Sequence, residues 1–105
     1  MIVEYIRYRI PAAAQADFLA AYGAAARALD ASPFCLNYEL AQGAEESERF
    51  ILRIHWTSAE DHLRGFRSSS EFRDFLAQVK PYLGNVEEMQ HYRPTAVTAR
   101  DIEAH

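Results

Sequence analysis

Residues 2–10 alternate strictly, with Ile2, Ile6, Tyr8 and Ile10 on one face and Val3, Tyr5, Arg7 and Arg9 on the other. This period of two, in β-branched and aromatic types, predicts a strand. Pro11 cannot donate to a ladder but fits a helix's first turn, and the alanine-rich run behind it sets Phe18, Tyr22, Ala25 and Leu29 at helical spacing. A helix is predicted over residues 12–30, closed by Ser32-Pro33. Gly23 interrupts it at a cost of about 1 kcal/mol relative to Ala. Two readings stand for that glycine: tight packing of helix on sheet, or close backbone approach to a ligand.

The alternation returns over residues 34–42, with Phe34, Leu36, Tyr38 and Leu40 opposed to Cys35, Asn37, Glu39 and Ala41. After the polar turn at residues 43–47, residues 49–56 align Phe50, Leu52, Ile54 and Trp56, so the two runs form an antiparallel hairpin. Ser58 with Asp61 opens a short helix ending near Phe66, and a second start at Ser69 or Ser70 opens another. On that helix Phe72, Phe75, Leu76, Val79, Tyr82 and Leu83 share a face, with Pro81 and Gly84 as its stop. Residues 86–92, carrying Glu87, Glu88 and Gln90, suit a sheet edge. The order β-α-β-β-α-β, its second helix split near residues 67–70, is an α+β, ferredoxin-like plan on an antiparallel sheet. One domain spans residues 1–94. Residues 95–105 read as a tail that wraps a partner subunit or is loosely ordered.

Composition narrows the function. The 105 residues carry 11 Lys+Arg against 15 Asp+Glu, a net charge of −4, which argues against nucleic-acid binding. No apolar run approaches a membrane span, and the N-terminus lacks a basic stretch ahead of an apolar one. Cys35 is alone, so neither an internal disulfide nor a zinc site of paired cysteines is expected, and the cytosol is the expected compartment. His62 titrates near neutrality and is a candidate general base, with a surface or capping role as the alternative. His91 and Tyr92 must point to opposite faces of the last strand, so one can reach a pocket. His55 lies on the other face from Trp56 and reads as a barrel-interior or interface residue. Arg67, in the helix break, can cap carbonyls or meet an anion. Tyr5, Arg7 and Arg9 on a central strand need partners, which dimer contacts would supply. His55, His62, His91 and Glu87 lack metal-ligand spacing, so no metal is expected.

The segments Trp56-Thr57-Ser58, His62-Leu63-Arg64-Gly65-Phe66-Arg67 and Ser70-Glu71-Phe72-Arg73-Asp74-Phe75, with Pro81 and the closing Glu88-Met89-Gln90-His91-Tyr92, resemble the antibiotic biosynthesis monooxygenase family. The resemblance runs from the first strand to about Pro94. It implies a ferredoxin-like protomer that pairs as a homodimer into a dimeric α+β barrel. It further implies a monooxygenase that uses no metal, flavin or haem, in which a phenolic or quinol-type substrate is deprotonated and itself reduces dioxygen. In members that tailor polyketides, a strand tryptophan, an asparagine four residues before it, a tyrosine in the following short helix and an arginine in the next helix face the substrate. Trp56 and Arg73 match the tryptophan and the arginine, whereas His62 stands in the tyrosine's place and Leu52 in the asparagine's. The haem-degrading branch is disfavoured, because Ile6, Phe66 and Leu76 replace its asparagine, tryptophan and proximal histidine. The expected site is therefore His62 as base or orienter and Arg73 as anion partner, with Trp56, Leu52, Phe66, Phe72, Tyr22 and His91 around the substrate. A non-catalytic barrel that binds a small apolar metabolite, and an isomerase on the same scaffold, are the alternatives.

Overall fold

A computed structural model of the chain describes residues 1–99. It contains β1 (Ile2–Arg9), α1 (Gln15–Ala31), β2 (Cys35–Gln42), β3 (Arg49–Trp56), a π-helical segment (Asp61–Phe66), α2 (Ser70–Val79), a 3₁₀ segment (Lys80–Asn85) and β4 (Val86–Tyr92). The sheet is four-stranded and antiparallel in the order β2-β3-β1-β4, so the chain has the ferredoxin-like α+β plan. β1 is central and the polar β4 lies at an edge, as its composition requires.

One face of the sheet is covered by α1 and α2. Ile6, Tyr8, Phe50, Leu52, Ile54 and Trp56 point into that layer and meet Phe18, Tyr22, Ala25 and Leu29 of α1 with Phe75 and Val79 of α2. Within it the Tyr8 and Tyr22 hydroxyls hydrogen-bond to each other. Burial is the main reason both phenols are pushed above their ordinary pKa, and they stay neutral. On the other face Arg7 pairs with Glu88 at 3.0 Å and Arg9 with Glu87 at 3.3 Å, so both arginines find carboxylates within the chain. Exposed pairs of this kind add at most about 1 kcal/mol each. Arg93, Pro94, Thr95, Val97 and Thr98 share a cleft with Val3, Tyr5, His55 and Tyr92 on this outer face, and residues 100–105 of the expected tail lie outside the described residues.

Three local expectations change. A bulge between Cys35 and Asn37 inserts Leu36 as an extra residue, which places Cys35 opposite Trp56 and leaves Leu36 exposed, reversing the predicted start of β2. Burial, with Asp30 nearby, pushes the Cys35 thiol up to about 11. The helix before the break is a π-helical segment rather than an α-helix. Its start is the predicted one, since the Ser58 hydroxyl accepts from the Asp61 N–H at 3.0 Å, and Ser69 caps α2 by accepting from the Phe72 N–H at 3.2 Å. Gly65 lets the segment lie on Phe34, whose ring would stand 2.7 Å from an added Cβ.

Tight packing of helix on sheet does not require Gly23, because an added Cβ meets nothing within 4 Å. The glycine faces a cleft between α1 and the sheet. Gly23→Ala is therefore expected to raise stability by about 0.5–1 kcal/mol, through the entropy of the unfolded chain and better helix propensity. Chemical denaturation should show a higher midpoint with an unchanged slope; a lower midpoint would mean that α1 is more crowded at this turn than its geometry indicates.

Candidate active site

A carboxylate on the buried face of β1 organises the site. Glu4 occupies the inward series of Ile6 and Tyr8, only 3% exposed, opposite Ile54 of β3 and His91 of β4. A charge so placed must find partners. Trp56 Nε1 donates to Glu4 Oε1 at 3.1 Å, and Glu4 Oε2 stands 3.6 Å from Nε2 of both His62 and His91. Burial alone raises the Glu4 pKa. His62, the indole N–H and His91 together outweigh that effect, and the carboxyl lies below its ordinary value of 4.5.

His62 sits on the first turn of the π-helical segment, whose start is fixed by Ser58 and by the Thr57 hydroxyl donating to Asp61 at 2.5 Å. Its ring stacks on Trp56 with centroids 4.4 Å apart, and Trp56 in turn meets Phe66 at 4.7 Å. The imidazole is 3% exposed, and neither of its nitrogens lies within hydrogen-bond distance of a partner. The surface and capping roles weighed for His62 thus give way to a buried position beside a carboxylate.

Beside these groups lies a cavity of about 190 Å³, lined by Glu4, His62 and Trp56 together with Phe66, Phe72 and Leu76. Arg67 lines it, and Leu83 and Met89, both more than 40% exposed, border it. Of the residues expected around a substrate, Trp56, His62, Phe66 and Phe72 come together in this cavity, and His91 joins them through Glu4. Leu52 and Tyr22 do not line it; they border the separate cleft beside Gly23 and Leu40. Arg73 is exposed on α2 and is not among the lining residues, whereas Arg67 supplies a guanidinium there. Glu87, grouped with the histidines in the sequence, turns instead to Arg9 and Arg49. His55 is buried on the opposite side of the sheet, as its position next to Trp56 required.

The sequence reading missed Glu4. Its signal was available: it is the one carboxylate in an otherwise apolar and aromatic inward series on the central strand.

Against known proteins, residues 1–78 match the family described as Antibiotic biosynthesis monooxygenase. The chain belongs to that family. Among curated proteins it is similar to YczJ of Bacillus subtilis strain 168, 25% identical over 93 residues, which cover 89% of this chain and 98% of YczJ. Solved structures share the fold at lower identity. Rv0793 from Mycobacterium tuberculosis aligns with a TM-score of 0.74 at 20% identity, covering 93% of this chain and 98% of that one. A conserved protein from Methanosarcina mazei Go1 gives 0.75 at 16%, covering 90% and 92%. A variant of SnoaB, a cofactor-independent oxygenase from Streptomyces nogalater, gives 0.70 at 16%, covering 94% and 95%. No helix among the described residues of this family member is long and apolar enough to cross a membrane.

Proposed function

We propose that this family member is a monooxygenase that oxidises a single-ring phenol or quinol with dioxygen in the cavity over Glu4 and His62. The observation that carries the reading is a buried carboxylate–imidazole pair facing an aromatic-walled space of ring size. A cavity of about 150 Å³ lined by Leu, Ile and Phe admits benzene, and drug-sized ligands occupy about 300–1,000 Å³. The 190 Å³ here suits one substituted ring. The similarity in fold to a cofactor-independent oxygenase supports chemistry in which the substrate is its own reductant.

His62 Nε2 faces Glu4, which leaves Nδ1 to accept the phenolic proton, and the carboxylate behind it stabilises the imidazolium that forms. Arg67 offers positive charge to the phenolate oxygen. The phenolate is then electron-rich enough to reduce dioxygen, and recombination at a ring carbon gives a hydroperoxide. Loss of water from it leaves a quinone. For a phenol with a free ring position, one oxygen atom enters the ring and the other leaves as water, with all four electrons supplied by the substrate. Pairing of two protomers through their outer sheet faces, on which Tyr5 and Tyr92 of one chain pack edge to face at 5.3 Å, is part of this proposal and is supported by the fold.

Oxygen uptake by purified protein with substituted phenols and hydroquinones tests it. Saturable uptake is expected, falling by about 10²–10⁴-fold in His62→Ala, the range a general base contributes. Uptake that persists in His62→Ala removes the imidazole from the mechanism. Ring substrates that bind and turn over without oxygen consumption would shift the assignment to an isomerase.

A further inference from the structure

We propose that Glu4, His62 and His91 form a binding site for a divalent transition-metal ion. The donors come from three separate segments, β1, the π-helical segment and β4, and one ligand atom from each lies within 4.8 Å of the others. The Trp56 N–H holds Glu4 Oε1, which fixes the carboxylate so that Oε2 faces both imidazoles at 3.6 Å. Orientation of a ligating carboxylate by an outer hydrogen bond is the usual arrangement around a metal. Ligand bonds of about 2.0–2.2 Å at tetrahedral angles place donor atoms about 3.4 Å apart, so the carboxylate-to-imidazole spacings already match.

The two imidazoles must close further on each other. His91 can do this, because it sits on the edge strand with its side chain 33% exposed, while Glu4 and His62 are held in the core. His62 supplies the independent sign that a partner belongs here: a polar ring 97% removed from solvent, since 3% of it is exposed, with neither nitrogen hydrogen-bonded. Burying such a ring unsatisfied is costly, and an ion on Nε2 would satisfy that nitrogen.

Two imidazoles and one carboxylate are a borderline N/O donor set, which suits zinc, iron, cobalt, nickel or copper rather than the oxygen-seeking magnesium or calcium. Three protein donors also leave coordination positions open toward the cavity. The inference goes beyond the oxygenase reading and stands without it. With an ion on Nε2 the remaining proton of the neutral ring sits on Nδ1, so ion-loaded protein cannot use His62 as a base.

The test is calorimetric titration of metal-stripped, tag-free full-length chain with Zn²⁺, and with Co²⁺ followed by its visible absorption. A single ion per chain is expected, with the intense visible bands of a four-coordinate cobalt site. His91→Ala alters an exposed edge residue and should fold normally, yet weaken binding by about tenfold or more, the loss that follows damage to a metal site's ligands or their supports. Glu4→Gln keeps the side chain's shape and should also weaken it. Absence of binding at about 100 μM Zn²⁺, where even a Kd near 10 μM would saturate the site, overturns the proposal. So does binding that both variants leave unchanged, which would place the ion elsewhere. Turnover is not the readout, so failure here leaves the oxygenase reading intact, and the converse also holds.

Discussion

Replacing Trp56 with alanine is expected to lower unfolding free energy by about 3–5 kcal/mol, the upper range for core truncations. The indole is fully buried, stacks on His62, meets Phe66 and holds Glu4 through its N–H. Truncation thus creates a cavity and deprives a buried carboxylate of the indole hydrogen bond. Against a total stability of about 5–15 kcal/mol for domains in general, this is a large fraction. Trp56→Phe separates the two contributions. The benzyl ring keeps much of the packing but loses the N–H, and the cost should fall to about 1–3 kcal/mol, that of leaving a buried polar group short of a partner. Denaturant unfolding followed by far-ultraviolet circular dichroism is the right measurement, because Trp56 is the chain's only tryptophan and its fluorescence vanishes with it. A loss below about 1 kcal/mol in Trp56→Ala would show that the wall between β3 and the π-helical segment collapses into the space, contrary to the packing described.

The architecture was legible because its signals are local and periodic. Alternation over residues 2–10 and 49–56, the serine caps at Ser58 and Ser69 and the polar edge strand each fix an element, and their order leaves few topologies. What the pattern could not show was where periodicity breaks. The bulge at Leu36 adds a residue, and alternation read straight through it assigns Cys35 to the wrong face. The site was legible only in part for a related reason. Trp56, His62, Phe66 and Phe72 lie close together in the chain, and the π-helical segment folds them into one wall. Glu4 and His91 join them only through strand pairing, at sequence separations that spacing rules do not reach. Leu52 shares the strand face of Trp56 yet opens on another cleft, which Tyr22 lines while its hydrogen-bond partner Tyr8 lines the cavity. Arg73 follows Phe72 directly and so points about 100° round the helix from it, to the exposed side, and the residue in the break, Arg67, reaches the cavity instead.

Glu4 carries the second large effect, and pH exposes it. Removing one partner from a buried charged cluster costs about 3–5 kcal/mol, so Glu4→Ala, which leaves His62 and the Trp56 N–H without their carboxylate, should destabilise by that order near neutral pH. Glu4→Gln should cost less, since the amide still accepts from the indole. Its more telling consequence is in acid. In the native protein the Glu4 carboxyl lies below its ordinary value of 4.5, held there against the effect of burial by His62, the indole N–H and His91. In the unfolded chain it returns to that value, so between the two the unfolded state binds more protons and stability rises with pH. The contribution is fully present above about pH 4.5 and is lost as pH falls through the depressed native value. Urea midpoints measured from neutral pH downward should therefore fall more steeply for the native sequence than for Glu4→Gln, and the two curves should converge in acid. Parallel curves would mean that Glu4 titrates alike in the folded and unfolded chains, so that His62, the indole N–H and His91 would do no more than offset the effect of burial on the carboxylate.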